Sequence, residues 1–149
     1  MKYLIMCEGP NELEVIRMLL EYNKLIFTED DLLNLVPYHA RQISKSAAVK
    51  TALNLYPGEV IVLRIGDKLG EELKIPKEYD FEKVKSSVSP KTFSKKNIMY
   101  NRTRYNNSTA FYREYYGERI ELLVDTIKRY KQLKGKHQKD EYYLADLLK

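Results

Sequence analysis

The first apolar run of the chain, Tyr3 to Cys7, shows no helical period and stops at Glu8-Gly9-Pro10. A short unperiodic run closed by turn-forming residues predicts a buried strand. Pro10 and Asn11 suit the opening of a helix. Leu13, Ile16, Leu19 and Leu20 then recur at helical spacing with Glu14, Arg17 and Glu21 between them, which predicts an amphipathic helix to about Asn23 or Lys24. Thr28 followed by Glu29, Asp30 and Asp31 reads as a second, short helix start, with the acids where the helix dipole favours them, stopped by Val36-Pro37. Leu35 to Gln42 is expected to be extended. A third helix, capped by Ser44 or Ser46, is expected to turn Ala48, Ala52 and Leu55 to the core and to close at Tyr56-Pro57-Gly58. Glu59 to Ile65, rich in β-branched residues, is the clearest strand and ends at Gly66-Asp67.

Strands alternating with helices over this stretch predict a mostly parallel sheet with helices packed on its faces. After Pro76 the pattern changes. Asn97 to Asn101 is a weaker strand candidate. A helix is expected from Ser108 to Gly117 and a longer one from Glu118 to about Leu133, with Ile120, Leu123, Ile127 and Tyr130 on one face and Gly135 as the stop. Asp140 to Leu148 reads as a last short helix.

With 149 residues the chain suits one compact domain that can bury a sizeable core. No apolar run approaches the roughly 20 residues that span a bilayer, and the apolar N-terminal stretch is too short for a signal peptide. The expected location is therefore the cytoplasm, without a membrane partner. Cys7 is the single cysteine, which excludes an internal disulfide and a cysteine-rich metal site. Charge divides the chain. Residues 1–82 hold 10 Lys/Arg and 14 Asp/Glu, whereas residues 83–149 hold 16 and 7, so a balance of −4 faces one of +9. Such asymmetry fits a polyanionic partner docking on one part of the molecule. Lys83 to Arg113 has eight basic residues and no acidic one, and it interleaves Tyr100, Tyr105, Phe111 and Tyr112 with Lys95, Lys96, Arg102 and Arg104. Cations hold phosphates and aromatic rings stack on unpaired bases, so these four cations are the candidate nucleic-acid contacts, with DNA and RNA equally open. The other reading of the same residues is a solvated lysine-rich surface with tyrosines packing the tail onto the domain.

The candidate chemistry lies at the strand ends. Glu8 stands at the carboxyl end of the first strand, the edge where open α/β sheets bind ligands. Glu12 is one helical turn on, and Asp67 follows the strong strand in the same way. Carboxylates converging at one edge repel each other, and a divalent cation, Mg²⁺ or Mn²⁺, is the usual remedy. As isolated residues, each also has a plainer role as a cap, a turn residue or a charge favoured by the helix dipole.

Glu8-Gly9 after an apolar strand, then a helix, then a strand ending in acids, resembles the Toprim domain of topoisomerases, bacterial primases and the overcoming-lysogenization-defect nucleases. Glu8 and Glu12 match the two first-motif glutamates of those nucleases, four residues apart. The second Toprim motif pairs two aspartates one residue apart. Asp67 matches the second of them, Ile65 stands at the place of the first, and Glu71 and Glu72 lie just beyond. The resemblance implies a Toprim-like α/β core over residues 1–80, with residues 81–149 as a basic, tyrosine-rich helical part packed on the same domain. It implies metal ligands at Glu8, Glu12, Asp67 and Glu71, and a catalytic set of Glu8 and Asp67 with Lys136 or Lys139 stabilising charge on the phosphate. The expected function is metal-dependent phosphodiester cleavage. The alternative, favoured by Ile65, is a degenerate Toprim-like module that binds nucleic acid or protein without catalysis. A further alternative is an assembly role in a homo-oligomer.

Overall fold

The computed structural model describes residues 1–66, 73–79, 92–94, 108–133 and 143–149. Asp67, Glu71, Lys95, Lys96, Arg102, Arg104, Lys136 and Lys139 lie outside the described residues, as do Glu72 and the strand expected at Asn97 to Asn101.

The described strands are β1 (Lys2–Cys7), β2 (Tyr38–His39), β3 (Val60–Gly66) and β4 (Thr92–Ser94). They form one sheet in the order β2-β1-β3-β4, and each neighbouring pair is parallel. The helices are α1 (Pro10–Glu21), α2 (Ala47–Leu55), α3 (Ser108–Gly117) and α4 (Ile120–Leu133). The expected parallel pairing of the first strand with the strong strand is present over six residue pairs, from Lys2 with Val60 to Cys7 with Ile65.

Side chains on a strand alternate between faces, and here both faces are covered. Ile5, Cys7, Leu63 and Ile65 pack with α1, α3 and α4 through Val15, Ile16, Leu19, Tyr116, Leu123 and Ile127. Leu4, Met6, Val60 and Val62 pack with Val49, Ala52 and Leu53 of α2 and with Leu73 and Tyr79. A parallel sheet buried on both sides explains why its central strands read as unbroken apolar runs. The C-terminal helices thus complete the core on the α1 side of the sheet, and Leu144, Leu147 and Leu148 close it. Backbone bonds tie this last segment down: Ile26 N donates to Leu147 O at 2.8 Å and Lys149 N to Lys24 O at 2.9 Å.

Several elements differ in detail from the pattern. The helix expected from Thr28 is a 3₁₀ turn, Glu29–Asp31, in which the backbone N–H of Thr28 donates to Asp31 Oδ2. A second 3₁₀ turn, Leu33–Leu35, follows, with Asn34 and Leu35 at φ 57° and 64°. The left-handed pair and Pro37 prevent a longer helix. In α2 the cap is Ser46, which accepts from Val49 N at 3.2 Å. Its buried face is Val49, Ala52 and Leu53, whereas Ala48 is exposed and Leu55 is 79% exposed. With apolar residues at so many α2 positions, periodicity alone left the facing open by one position. The last expected helix is represented among the described residues by a 3₁₀ turn, Leu144–Leu147. Among the described residues no helix is long and apolar enough to cross a membrane.

Candidate functional site

The chain runs from β1 through α1 to β2 on one side, and returns through α2 to β3 on the other side of β1. From β3 it goes on outward to β4. The connections leaving β1 and β3 therefore diverge, and the sheet has its topological switch point between their carboxyl ends. Such a crevice is where open α/β sheets hold ligands. Glu8 is the residue after β1 and Gly66 the last of β3, and Glu8 N donates to Ile65 O at 2.9 Å.

Glu8 lies on the α2 face. Its carboxylate extends over Gly66, where an added Cβ would stand 2.2 Å from Glu8 Oε2 and 2.5 Å from Cδ. A side chain at position 66 would have to displace the Glu8 carboxylate. The counter-charge is Arg64, two residues back on the same face of β3. Arg64 Nε lies 3.3 Å from Glu8 Oε1, with the two side chains 5% and 13% exposed. Arg64 Nη1 also donates to the carbonyl of Arg41 at 3.3 Å, which ties the β1–β3 edge to the loop after β2. A buried charge is tolerable only when paired and hydrogen-bonded, and Arg64 and Glu8 meet that requirement for each other.

Glu12 takes a different position. It is buried on α1, its carboxylate against Gly9, where an added Cβ would meet Oε2 at 2.8 Å. Its charge bears on Cys7, which faces the α1 side of the sheet. Burial first, and then Glu12, push the Cys7 thiol far above its ordinary range, with Arg17 opposing. Cys7 is thus an inert core thiol.

Of the residues predicted for a metal centre, Glu8 and Glu12 are described, and each is held by its own neighbours. Among the described residues no three of His, Cys, Asp and Glu are placed to hold a metal ion. Arg64 puts fixed positive charge against Glu8, which opposes a cation there. Asp67 and Glu71, the other two residues expected to hold a metal, lie outside the described residues. Ile65 is fully buried in the α1-side core. Its side chain is on the opposite face from Glu8, so the β3 positions that share the Glu8 face are Arg64 and Gly66. An acid at position 65 would not reach Glu8 in this register.

Arg64 was missed in reading the sequence, and a signal for it existed. An arginine inside Val-Ile-Val-Leu-Arg-Ile, a strand bound for burial on both faces, requires a buried carboxylate within reach. Glu14 was assigned to a polar helix face, yet it is buried and paired with Arg113 of α3, which also bonds Glu21 at 2.9 and 3.2 Å. Nothing in the periodicity of α1 announces that α3 lies over it. An open groove of about 550 Å³ lies at the amino end of the sheet, lined by Lys2, Leu33, Leu35, Tyr38, Ala52 and Leu55 among others. It is remote from the switch point.

No protein-family model, curated protein or solved structure matches the chain.

Proposed function

We propose that the chain is a Toprim-like nucleic-acid-binding module whose switch-point carboxylate is neutralised internally, by an arginine, rather than by a divalent metal. The observation that carries this reading is the buried Arg64–Glu8 pair at the carboxyl edge of β1 and β3. A metal-dependent phosphodiesterase needs its carboxylates free to ligate a cation, and Arg64 competes with any cation for Glu8. What supports nucleic acid as the partner is the balance of +9 over residues 83–149 and the run of eight cations without an acid from Lys83 to Arg113.

The test is equilibrium binding of labelled single- and double-stranded DNA and RNA across a salt series, with and without chelator. The module should bind with salt-sensitive affinity that chelator leaves unchanged, and replacing Lys95, Lys96, Arg102 and Arg104 together by Ala should flatten the salt dependence. A second reading, Mg²⁺-dependent phosphodiester cleavage, draws on the position of Glu8 at the switch point. Metal-dependent cleavage abolished by Glu8→Gln would establish it in place of the first.

A further inference from the structure

Among the described residues some cations are held in ion pairs and others are not, exposed Arg17, Lys128 and Arg129 on the α1 side being among the latter. On the α1 side Lys24 is paired with Glu121 at 2.5 Å, and Arg113 is paired with both Glu14 and Glu21. On the α2 side the chain from Leu33 to Gly58 contains Arg41, Lys45 and Lys50 and no carboxylate, Glu59 following it. The segment that packs on α2 adds Lys74 and Lys77, with exposed Glu78 beside Lys77. Among the described residues none of these five takes part in an ion pair.

The fold gathers them. Arg41 and Lys45 are exposed and flank the buried pair Gln42 and Ile43. The side-chain oxygen of Gln42 accepts from Lys74 N at 2.9 Å, which sets the backbone of exposed Lys74 beside the Arg41 loop. The same segment is pinned to α2 by Tyr79, whose hydroxyl donates to Asn54 Oδ1 at 2.8 Å and lies 3.3 Å from the carbonyl of Lys50. The cations thus ride on short, well-anchored elements. The row begins at the switch point, because the carbonyl of Arg41 accepts from Arg64, the partner of Glu8.

We infer that this α2-side surface, centred on Arg41, Lys45 and Lys74 with Lys50 and Lys77 at its flank, is a docking track for the phosphate backbone of a nucleic acid. The inference rests on the nucleic-acid reading above and adds a second set of cations, outside the sequence segment between Lys83 and Arg113. Neighbouring cations that are not taken up in ion pairs suit a polyphosphate, since each contact releases a condensed counterion. An anionic membrane surface is disfavoured. A basic helix lying on lipid needs its apolar face free, and the apolar face of α2, Val49, Ala52 and Leu53, is spent on the core.

The experiment compares two triple charge reversals in the full chain. One is Arg41→Glu with Lys45→Glu and Lys74→Glu. The other, matched in charge, is Lys128→Glu with Arg129→Glu and Lys149→Glu, three exposed cations on α4 and the last residue. Binding of labelled single-stranded and duplex oligonucleotides is read by fluorescence anisotropy over a salt series, with circular dichroism as the folding check. The first variant should lose at least about tenfold in affinity at low salt, and its salt slope should shrink by about two to three, one contact per cation. The matched variant should lose several-fold less. Lysine acetylation footprinting of the wild type supplies a readout that needs no variant: bound oligonucleotide should protect Lys45 and Lys74 but not Lys128. Equal losses in the two variants, or no protection of Lys45 and Lys74, would overturn the track while leaving the nucleic-acid reading standing. Wild type that binds no oligonucleotide would overturn both, and binding to phosphatidylserine vesicles in its place would assign the surface to lipid.

Discussion

At the residue scale the structure turns on one ion pair and one glycine. Arg64 and Glu8 are almost wholly removed from solvent, so removing one partner leaves the other buried and uncompensated. Arg64→Met is expected to cost about 3–5 kcal/mol of unfolding free energy. Combining it with Glu8→Leu should recover much of that loss, and a double-mutant cycle in urea measures the coupling. Gly66→Ala should act on the same pair, because the new methyl group would occupy the space of the Glu8 carboxylate. It should destabilise by about 1–3 kcal/mol, and most of the effect should vanish when Glu8 is also Ala. Cys7 yields a pH prediction. Its thiol is raised in the folded state, by burial and then by Glu12, so the folded protein holds the proton that the unfolded chain gives up near the ordinary thiol value of about 8.5. The stabilising contribution is complete below that pH and is lost progressively above it, at up to about 1.4 kcal/mol per pH unit. Stability measured from pH 7 to 10 should fall more steeply in wild type than in Cys7→Ala, and native Cys7 should resist alkylation at pH 8.

At the scale of elements, the core of the fold was legible because it is local. Tyr3–Cys7 and Glu59–Ile65 are apolar runs bounded by turn residues, and both are strands within one residue of the expected ends. The described α3 ends at Gly117, the glycine expected to stop it. What was not legible depends on partners distant in sequence. Glu14 is buried because Arg113 of α3, 99 residues on, neutralises it. Arg64 is buried because Glu8 stands at the neighbouring strand end. The acidic cluster was expected from placement at two strand ends and from the spacing of Glu8 and Glu12; of its members Glu8 extends over Gly66 and Glu12 lies against Gly9, while Asp67 and Glu71 lie outside the described residues. Arg113→Ala tests the link between α1 and α3. It should cost about 1–2 kcal/mol, the penalty of leaving Glu14 uncompensated, moderated by the partial exposure of Arg113. Amide exchange should quicken in α3 before it quickens in β1 and β3.

For the whole molecule, the described parallel strands place a crevice between diverging connections. On the α1 side Glu14 and Glu21 pair with Arg113 of α3, and Lys24 pairs with Glu121 of α4. On the α2 side Arg41, Lys45 and Lys74 take part in no ion pair among the described residues, and Arg41 is joined to the switch point through its carbonyl's contact with Arg64. The C-terminal segment belongs to the same core, since Leu144 and Leu147 are buried with α1 and α4 residues. Leu147→Ala should therefore cost about 2–5 kcal/mol and lower the midpoint of the single thermal transition rather than create a second one. The most direct test of the central claim, a nucleic-acid-binding module neutralised from within, is titration of Mn²⁺ into the wild-type protein with a bound labelled oligonucleotide, monitoring anisotropy and integrity of the strand together. The account predicts binding that neither Mn²⁺ nor chelator alters beyond an ordinary ionic-strength effect, and an intact strand. Saturable Mn²⁺ binding that Glu8→Gln removes, accompanied by strand cleavage, would contradict it.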